Sequence, residues 1–236
     1  MCASTTEEKA KMKGIPSREL IGSLLYLSNT TRPDLSYSVG LLARYMESPG
    51  QKHWKAAKHV LRYLRGTLTF GILYKNDGSD TIVGYTDSDF AADRDARKST
   101  SGFCFLLSGG IVSWLSKKQS ITAQSTVEAE FIALSFAVRE LIWLRNMMKE
   151  LEQNIEVPSI IFVDNQGCIS LSESAALTDK SKHIAVKIHL VKDMIDDGTV
   201  MLSYLPTKQM AADVFTKLLP RTRHLSNRNQ LGICEK

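Results

Sequence analysis

The chain has 236 residues, 43% of them hydrophobic and 23% charged, which excludes a mostly disordered or fibrous protein and suits one large domain, alone or with a smaller helical annex. No apolar stretch reaches the roughly 18 residues that span a bilayer, and the first thirty residues are charged rather than a basic-then-apolar leader, so no membrane association is expected. Cys2, Cys104, Cys168 and Cys234 lie far apart without a C-x-x-C pair, which argues against a zinc knuckle or disulfide framework and for an intracellular, reduced setting. The formal net charge of +5 is uneven: residues 1–80 hold 12 Lys and Arg against 7 Asp and Glu, and residues 81–236 hold 18 of each.

Residues 1–13 are polar and read as a flexible tail. Helices are predicted around 17–29, 34–47 and 51–65, followed by a short strand near 70–74; Arg32-Pro33-Asp34 marks a helix start. In HWKAAKHVLRYLR (53–65), Trp54, Ala57, Leu61 and Leu64 recur at three- and four-residue steps and form the expected buried stripe. Lys55, Lys58, Arg62 and Arg65 fall in one arc beside it, a row of cations that either tracks a nucleic-acid backbone or is a solvated helix face. Gly66 is a plausible helix stop. The aperiodic run Lys75-Asn76-Asp77-Gly78-Ser79-Asp80 is the expected boundary between a helical segment (14–80) and a second domain.

Beyond it, 81–87, 102–107 and 111–115 are β-rich, with Ser108-Gly109-Gly110 as a hairpin turn. A long helix over 126–150 follows, carrying Val127, Phe131, Leu134, Val138 and Leu141 on one stripe and opening with Ser125 and Glu128 as a capping box. The apolar strand 160–163 ends at Asp164-Asn165. Helices near 166–174 and 183–196, a strand over 199–205 and a final helix over 210–219 complete the pattern, leaving 221–236 as a C-terminal tail. The order β-β-β-α-β-α-α-β-α implies an α/β fold, a mixed sheet with helices packed on it.

Four acids stand where chemistry is expected in such a sheet, at strand carboxyl ends and bordering helices. Asp87 follows the strand 82–85, Asp164 closes 160–163, Glu130 lies one turn into the long helix and Asp213 opens the last one. On a helical wheel Glu130 borders the buried stripe, whereas Glu128 faces outward and is accounted for by capping. Bland roles remain open at this point: Asp213 as an N-cap, Asp164 as a turn residue. Converging carboxylates repel one another unless cations hold them, and hard oxygen ligands suit Mg²⁺ or Mn²⁺. Two such ions about 3.5–4 Å apart serve phosphodiester hydrolysis.

Residues 81–220 resemble the ribonuclease H domain of a copia-type LTR retrotransposon Pol polyprotein. The motifs are GYTDSDFAAD (84–93), RKSTSGFCFLLSGGIVSWLSKKQ (97–119), STVEAEFIALS (125–135), VDNQGCI (163–169), SKHI (181–184) and ADVFTK (212–217). Residues 21–67 resemble the segment that connects reverse transcriptase to ribonuclease H in the same polyproteins. The resemblance implies a ribonuclease H-like fold, a five-stranded mixed sheet flanked by helices, that hydrolyses the RNA strand of RNA–DNA hybrids. It places the family's four catalytic, metal-holding acids on Asp87, Glu130, Asp164 and Asp213, with two Mg²⁺ ions that Mn²⁺ can replace and no small-molecule cofactor. Gln166 falls on a position facing the hybrid's minor groove, where 2′-hydroxyls are displayed, and Lys55, Lys58, Arg62 and Arg65 become candidates for guiding the duplex. The implied partners are an RNA–DNA hybrid and the reverse transcriptase portion of the polyprotein, in a cytoplasmic virus-like particle.

Departures accompany the match. The loop before Asp213, Pro206-Thr207-Lys208-Gln209, lacks the histidine that many ribonucleases H carry there, and Ala185 stands where related sequences usually have Asp. His183 and His189 read as structural or surface residues. The Y-x-D-D polymerase motif, the integrase triad and the protease signature are missing, so the expected source is the translated tail of a retrotransposon copy. The alternative to an enzyme is a catalytically inactive nucleic-acid-binding remnant; the four intact acids favour the enzyme.

Overall fold

The computed structural model describes residues 6–75, 81–93, 95–153, 158–174 and 182–235. Its first helices are α1 (Thr6–Met12), α2 (Ser17–Thr30), α3 (Ser36–Ala43) and α4 (Gln51–Arg65), followed by strands β1 (Phe70–Ile72), β2 (Val83–Ser88), β3 (Thr100–Leu107) and β4 (Gly110–Lys118). Then come α5 (Thr126–Glu150), β5 (Ser159–Val163), α6 (Gln166–Ser174), α7 (Ala185–Asp196), β6 (Val200–Tyr204), α8 (Arg221–Gln230) and β7 (Ile233–Glu235). The chain forms two units: described residues up to Ile72 together with those from Ile233 on, and Leu73–Gly232. Of the run Lys75 to Asp80, read from the sequence as the domain boundary, residues 76–80 lie outside the described residues. No described helix is long and apolar enough to cross a membrane.

In the first unit, Ile21 and Leu24 of α2, Leu35, Val39 and Leu42 in and beside α3, and Ala57 and Val60 of α4 make the core, each set spaced to share one helix face. A polar pin crosses this core. Arg32 donates to both carboxylate oxygens of Asp34, at 3.0 and 2.8 Å, and to the carbonyl and hydroxyl of Thr67, while the Tyr63 hydroxyl donates to Asp34 at 2.7 Å. It ties the Pro33–Leu35 3-10 turn to the end of α4. β1 and β7 pair antiparallel, Phe70 opposite Glu235.

Three expectations change here. The polar start is not all tail: Thr6–Met12 is helical, with Met12 buried. The helix expected over 34–47 is a 3-10 turn followed by α3, which ends at Ala43. The α4 stripe is Ala57 and Val60, backed by half-buried Trp54, Tyr63 and Leu64, whereas Leu61 is 41% exposed. The helix is rotated so that Tyr63 reaches Asp34, which puts Leu61 on the outside.

In the second unit the five strands run in the order β4-β3-β2-β5-β6, with β2–β3 and β3–β4 antiparallel and β2–β5 and β5–β6 parallel. The β3–β4 hairpin turns through Ser108 and Gly109, both at positive φ (51° and 73°), which the tight two-residue turn requires. Phe103 and Phe105 of β3, Ile161 and Val163 of β5 and the predicted α5 stripe of Phe131, Leu134, Val138 and Leu141 share one core, Val127 being half-buried. The sequence order therefore produced the expected mixed sheet.

The end of the chain departs from expectation. Ala211–Phe215 is a wholly buried 3-10 turn rather than part of a helix over 210–219, anchored by Ser116, whose hydroxyl donates to the Phe215 carbonyl at 2.6 Å. Pro220 starts a new helix instead, so 221–235 contributes α8 and β7 rather than a tail. Asn227 of α8 donates to the Met210 carbonyl at 3.0 Å, holding α8 to the turn.

Candidate active site

β2 is the central strand and β5 its parallel neighbour, with Thr86 in register with Val163. The next residues along, Asp87 and Asp164, therefore emerge side by side at the carboxyl ends of adjacent parallel strands, where a crevice is expected. Glu130 approaches from the first turns of α5, which the Gln119 side chain ties down by donating to the Ala129 carbonyl at 3.0 Å and the Ser101 hydroxyl at 2.9 Å. One carboxylate oxygen from each of Asp87, Glu130 and Asp164 lies within 4.8 Å of the others.

Asp213 stands apart from that trio and is joined to Asp87 by a lysine. The Lys217 ammonium donates to Asp87 Oδ1 at 2.9 Å and to Asp213 Oδ1 at 2.8 Å. Thr216 donates to Asp87 Oδ2, and Arg223 of α8 to Asp213 Oδ2 and to the Thr207 carbonyl. Thr207 in turn donates to Asp164 Oδ2 at 2.7 Å. Thr207, Thr216, Lys217 and Arg223 were not singled out from the sequence. The signal lay in ADVFTK, which sets Lys217 four residues after an acid that, once buried, needs a cation.

Burial dominates the electrostatics. Asp87 is fully buried, which pushes its carboxyl up to about 7; Lys217 pulls against this shift and the Asp213 charge adds to it. Glu130, 7% exposed, is held well above the usual carboxylate range by burial and then by the charges of Asp87 and Asp164. Burial pulls the Lys217 ammonium down, but Asp87 and Asp213 outweigh it and leave its pKa raised. Glu130 Oε2 is buried without a hydrogen-bond partner among the described residues. Two raised acids, Asp87 and Glu130, clustered with Asp164 and with an orphaned buried oxygen among them, fit a hard divalent cation.

Gln166 is exposed at the start of α6, next to Asn165, whose side chain caps that helix by accepting from the Cys168 N–H at 2.9 Å. Lys55, Lys58, Arg62 and Arg65 are all exposed on α4, in the other unit. Glu128 corrects the wheel argument: it is 7% exposed rather than outward. Ser125 accepts from the Glu128 N–H at 3.1 Å as a cap should, but the Glu128 carboxylate bonds the Gln124 N–H at 2.9 Å and the exposed His183 ring at 2.6 Å. His183 is thus a structural partner of Glu128.

No family model matches the chain. It is 42% identical over 228 residues, 94% of its length, to the retrovirus-related Pol polyprotein from transposon TNT 1-94 of Nicotiana tabacum. It is 36% identical over 216 residues to the Pol polyprotein from transposon RE2 of Arabidopsis thaliana. The chain belongs to the copia-type retrotransposon Pol polyproteins. This Pol-family chain spans 17% and 15% of the length of those two relatives. Its second unit is a five-stranded mixed sheet in the order β4-β3-β2-β5-β6 flanked by helices. Among solved structures, LC11-RNase H1 in complex with RNA/DNA hybrid aligns with 58% of the Pol-family chain and 94% of its own, at 16% identity and a TM-score of 0.43.

Proposed function

We propose that this chain is a metal-dependent ribonuclease H that cleaves the RNA strand of RNA–DNA hybrids within a copia-type Pol polyprotein, its helical unit being the connection to reverse transcriptase. The observation that supports this best is the convergence of Asp87, Glu130 and Asp164 from β2, α5 and the end of β5, with a buried Glu130 oxygen left for a ligand. These three would hold the divalent cation, Mg²⁺ or Mn²⁺, and Asp213 completes the catalytic set through Lys217. When bound, the cation stabilises charge that develops on the phosphodiester oxygens.

The chain's own groups do the positioning. Thr216 and Lys217 fix the Asp87 carboxylate, and Thr207 holds Asp164 Oδ2, leaving Oδ1 for a ligand. Gln166 is exposed and set to meet 2′-hydroxyls in the minor groove, the contact that selects RNA. The α4 cations meet backbone phosphates. The test is cleavage of the RNA strand of a hybrid with Mg²⁺ or Mn²⁺, comparing wild type with Asp164→Asn. Metal-dependent cutting that disappears in the variant is expected. Equal cutting by both would remove the carboxylate site from the chemistry, and a wild type that neither cuts nor binds metal would favour the inactive remnant.

A further inference from the structure

The four acids were expected to hold two divalent ions, but the donors around them divide into two sets. Asp87 and Asp213 have a proton donor on every carboxylate oxygen: Lys217 and Thr216 on Asp87, Lys217 and Arg223 on Asp213. Glu130 Oε2 has none among the described residues, and the Asp164 carboxylate accepts from Thr207 on one oxygen, Oδ2. The unfilled coordination capacity is therefore concentrated on the Glu130 and Asp164 side of the site. Between Asp87 and Asp213, where a second ion would share ligands, sits an ammonium group within 3 Å of both.

We infer that Lys217 takes the place of a second metal ion, so that the site holds one divalent cation on Asp87, Glu130 and Asp164 while Lys217 bridges Asp87 to Asp213. This rests on the metal-site reading proposed above. Charge supports it. Four carboxylates carry four negative charges; Lys217 and Arg223 cancel two, and one divalent ion cancels the rest. A second divalent ion added to these would leave an excess of two positive charges beside Asp87, Asp213 and Glu130, which are almost wholly buried, an arrangement disfavoured where the surrounding dielectric is low.

Geometry holds the ammonium in place as well. Lys217 lies four residues after Asp213, one turn along, so both of its bonds are made by a side chain anchored beside the buried 3-10 turn. Asp87 and Asp213 are each 0% exposed, so a departing lysine would leave two carboxylates buried with one fewer counter-charge. The substitution that opens a second metal position is therefore removal of the ammonium itself.

The test counts Mn²⁺ bound to the full chain by electron paramagnetic resonance titration, without nucleic acid, for wild type, Lys217→Met, Lys217→Gln and Lys217→Arg, with circular dichroism to confirm folding. One ion is expected for wild type and for Lys217→Arg, whose guanidinium restores the charge. A second ion is expected for Lys217→Met and Lys217→Gln, bound at least tenfold more tightly than any second event in wild type. Two ions of similar affinity on wild type, or a single ion on a folded Lys217→Met or Lys217→Gln, would overturn the inference while leaving the metal site intact. No ion on wild type would overturn the metal site and the inference together. If neither neutral variant folds, the wild-type count alone decides.

Discussion

Gly102 lies opposite Asp87 in the β2–β3 register, and a Cβ added there would come within 2.7 Å of the Thr216 methyl and 2.8 Å of the Phe215 Cβ. The bare backbone of β3 is what lets the Ala211–Phe215 turn bring Thr216 and Lys217 onto Asp87. Gly102→Ala should therefore push that turn away, costing about 1–3 kcal/mol of stability as overpacking does. Metal affinity should fall with it, which a thermal melt with and without Mn²⁺ reads. A variant as stable as wild type would show that the close approach is not needed.

Glu128 and Glu130 are neighbours with opposite assignments. Glu130→Gln should abolish metal-induced stabilisation, because it removes a charge from the trio. Glu128→Gln should keep that stabilisation while lowering overall stability by about 1–3 kcal/mol, since it weakens the bonds that this nearly buried carboxylate makes to Gln124 and His183. Melting curves of both variants, each with and without Mg²⁺, separate the two. An intact metal response in Glu130→Gln would remove that residue from the site.

Asp87 sets a pH dependence with a definite sign. Its carboxyl is raised to about 7, first by burial, so between about pH 4 and pH 7 the folded chain keeps a proton that an unfolded aspartate has lost. In chelator, stability should fall as pH rises through that window, and Glu130, also raised, works in the same direction. A divalent cation favours the ionised forms, so its stabilising effect should be larger at pH 8 than at pH 5. Asp87→Asn should flatten the metal-free trend; an unchanged slope in that variant would place the titration elsewhere.

The pair Arg32–Asp34, both almost fully buried, supports the helical unit. Removing one partner leaves the other charge buried and unpaired, so Asp34→Asn should cost about 3–5 kcal/mol. Replacing both by apolar residues of similar volume should cost much less, because no charge is then stranded. Hydrogen exchange of the α2 and α4 amides measures each variant. Equal protection in Asp34→Asn and wild type would make the pair incidental.

For the α4 row, Lys55→Ala combined with Arg62→Ala removes two exposed cations. If both meet phosphates, the slope of log K against log salt for hybrid binding should become shallower by about 1.8, at roughly 0.9 per phosphate. An unchanged slope would make the row a solvated helix face.

Sequence by itself determined the elements whose signals are local. The end of α4 and the start of α5 follow from Gly66 and from the Ser125 cap. The alternation of strands and helices was enough to imply the mixed sheet, and Asp87, Glu130 and Asp164 stood out as acids at strand ends and on a buried helix edge. Tertiary structure decided what depends on distant partners. Leu61 is exposed because Tyr63 reaches across to Asp34, and Glu128 is buried because His183, 55 residues on, meets it. The Asp213 segment tightened into a 3-10 turn where Gly102 made room for it. Lys217 acquired its place between two acids 130 and 4 residues away only when the fold brought both to it. Helix caps and apolar spacing act within a turn or two of chain, whereas the desolvation that forces a buried acid to find a cation exists only once the chain has closed around it.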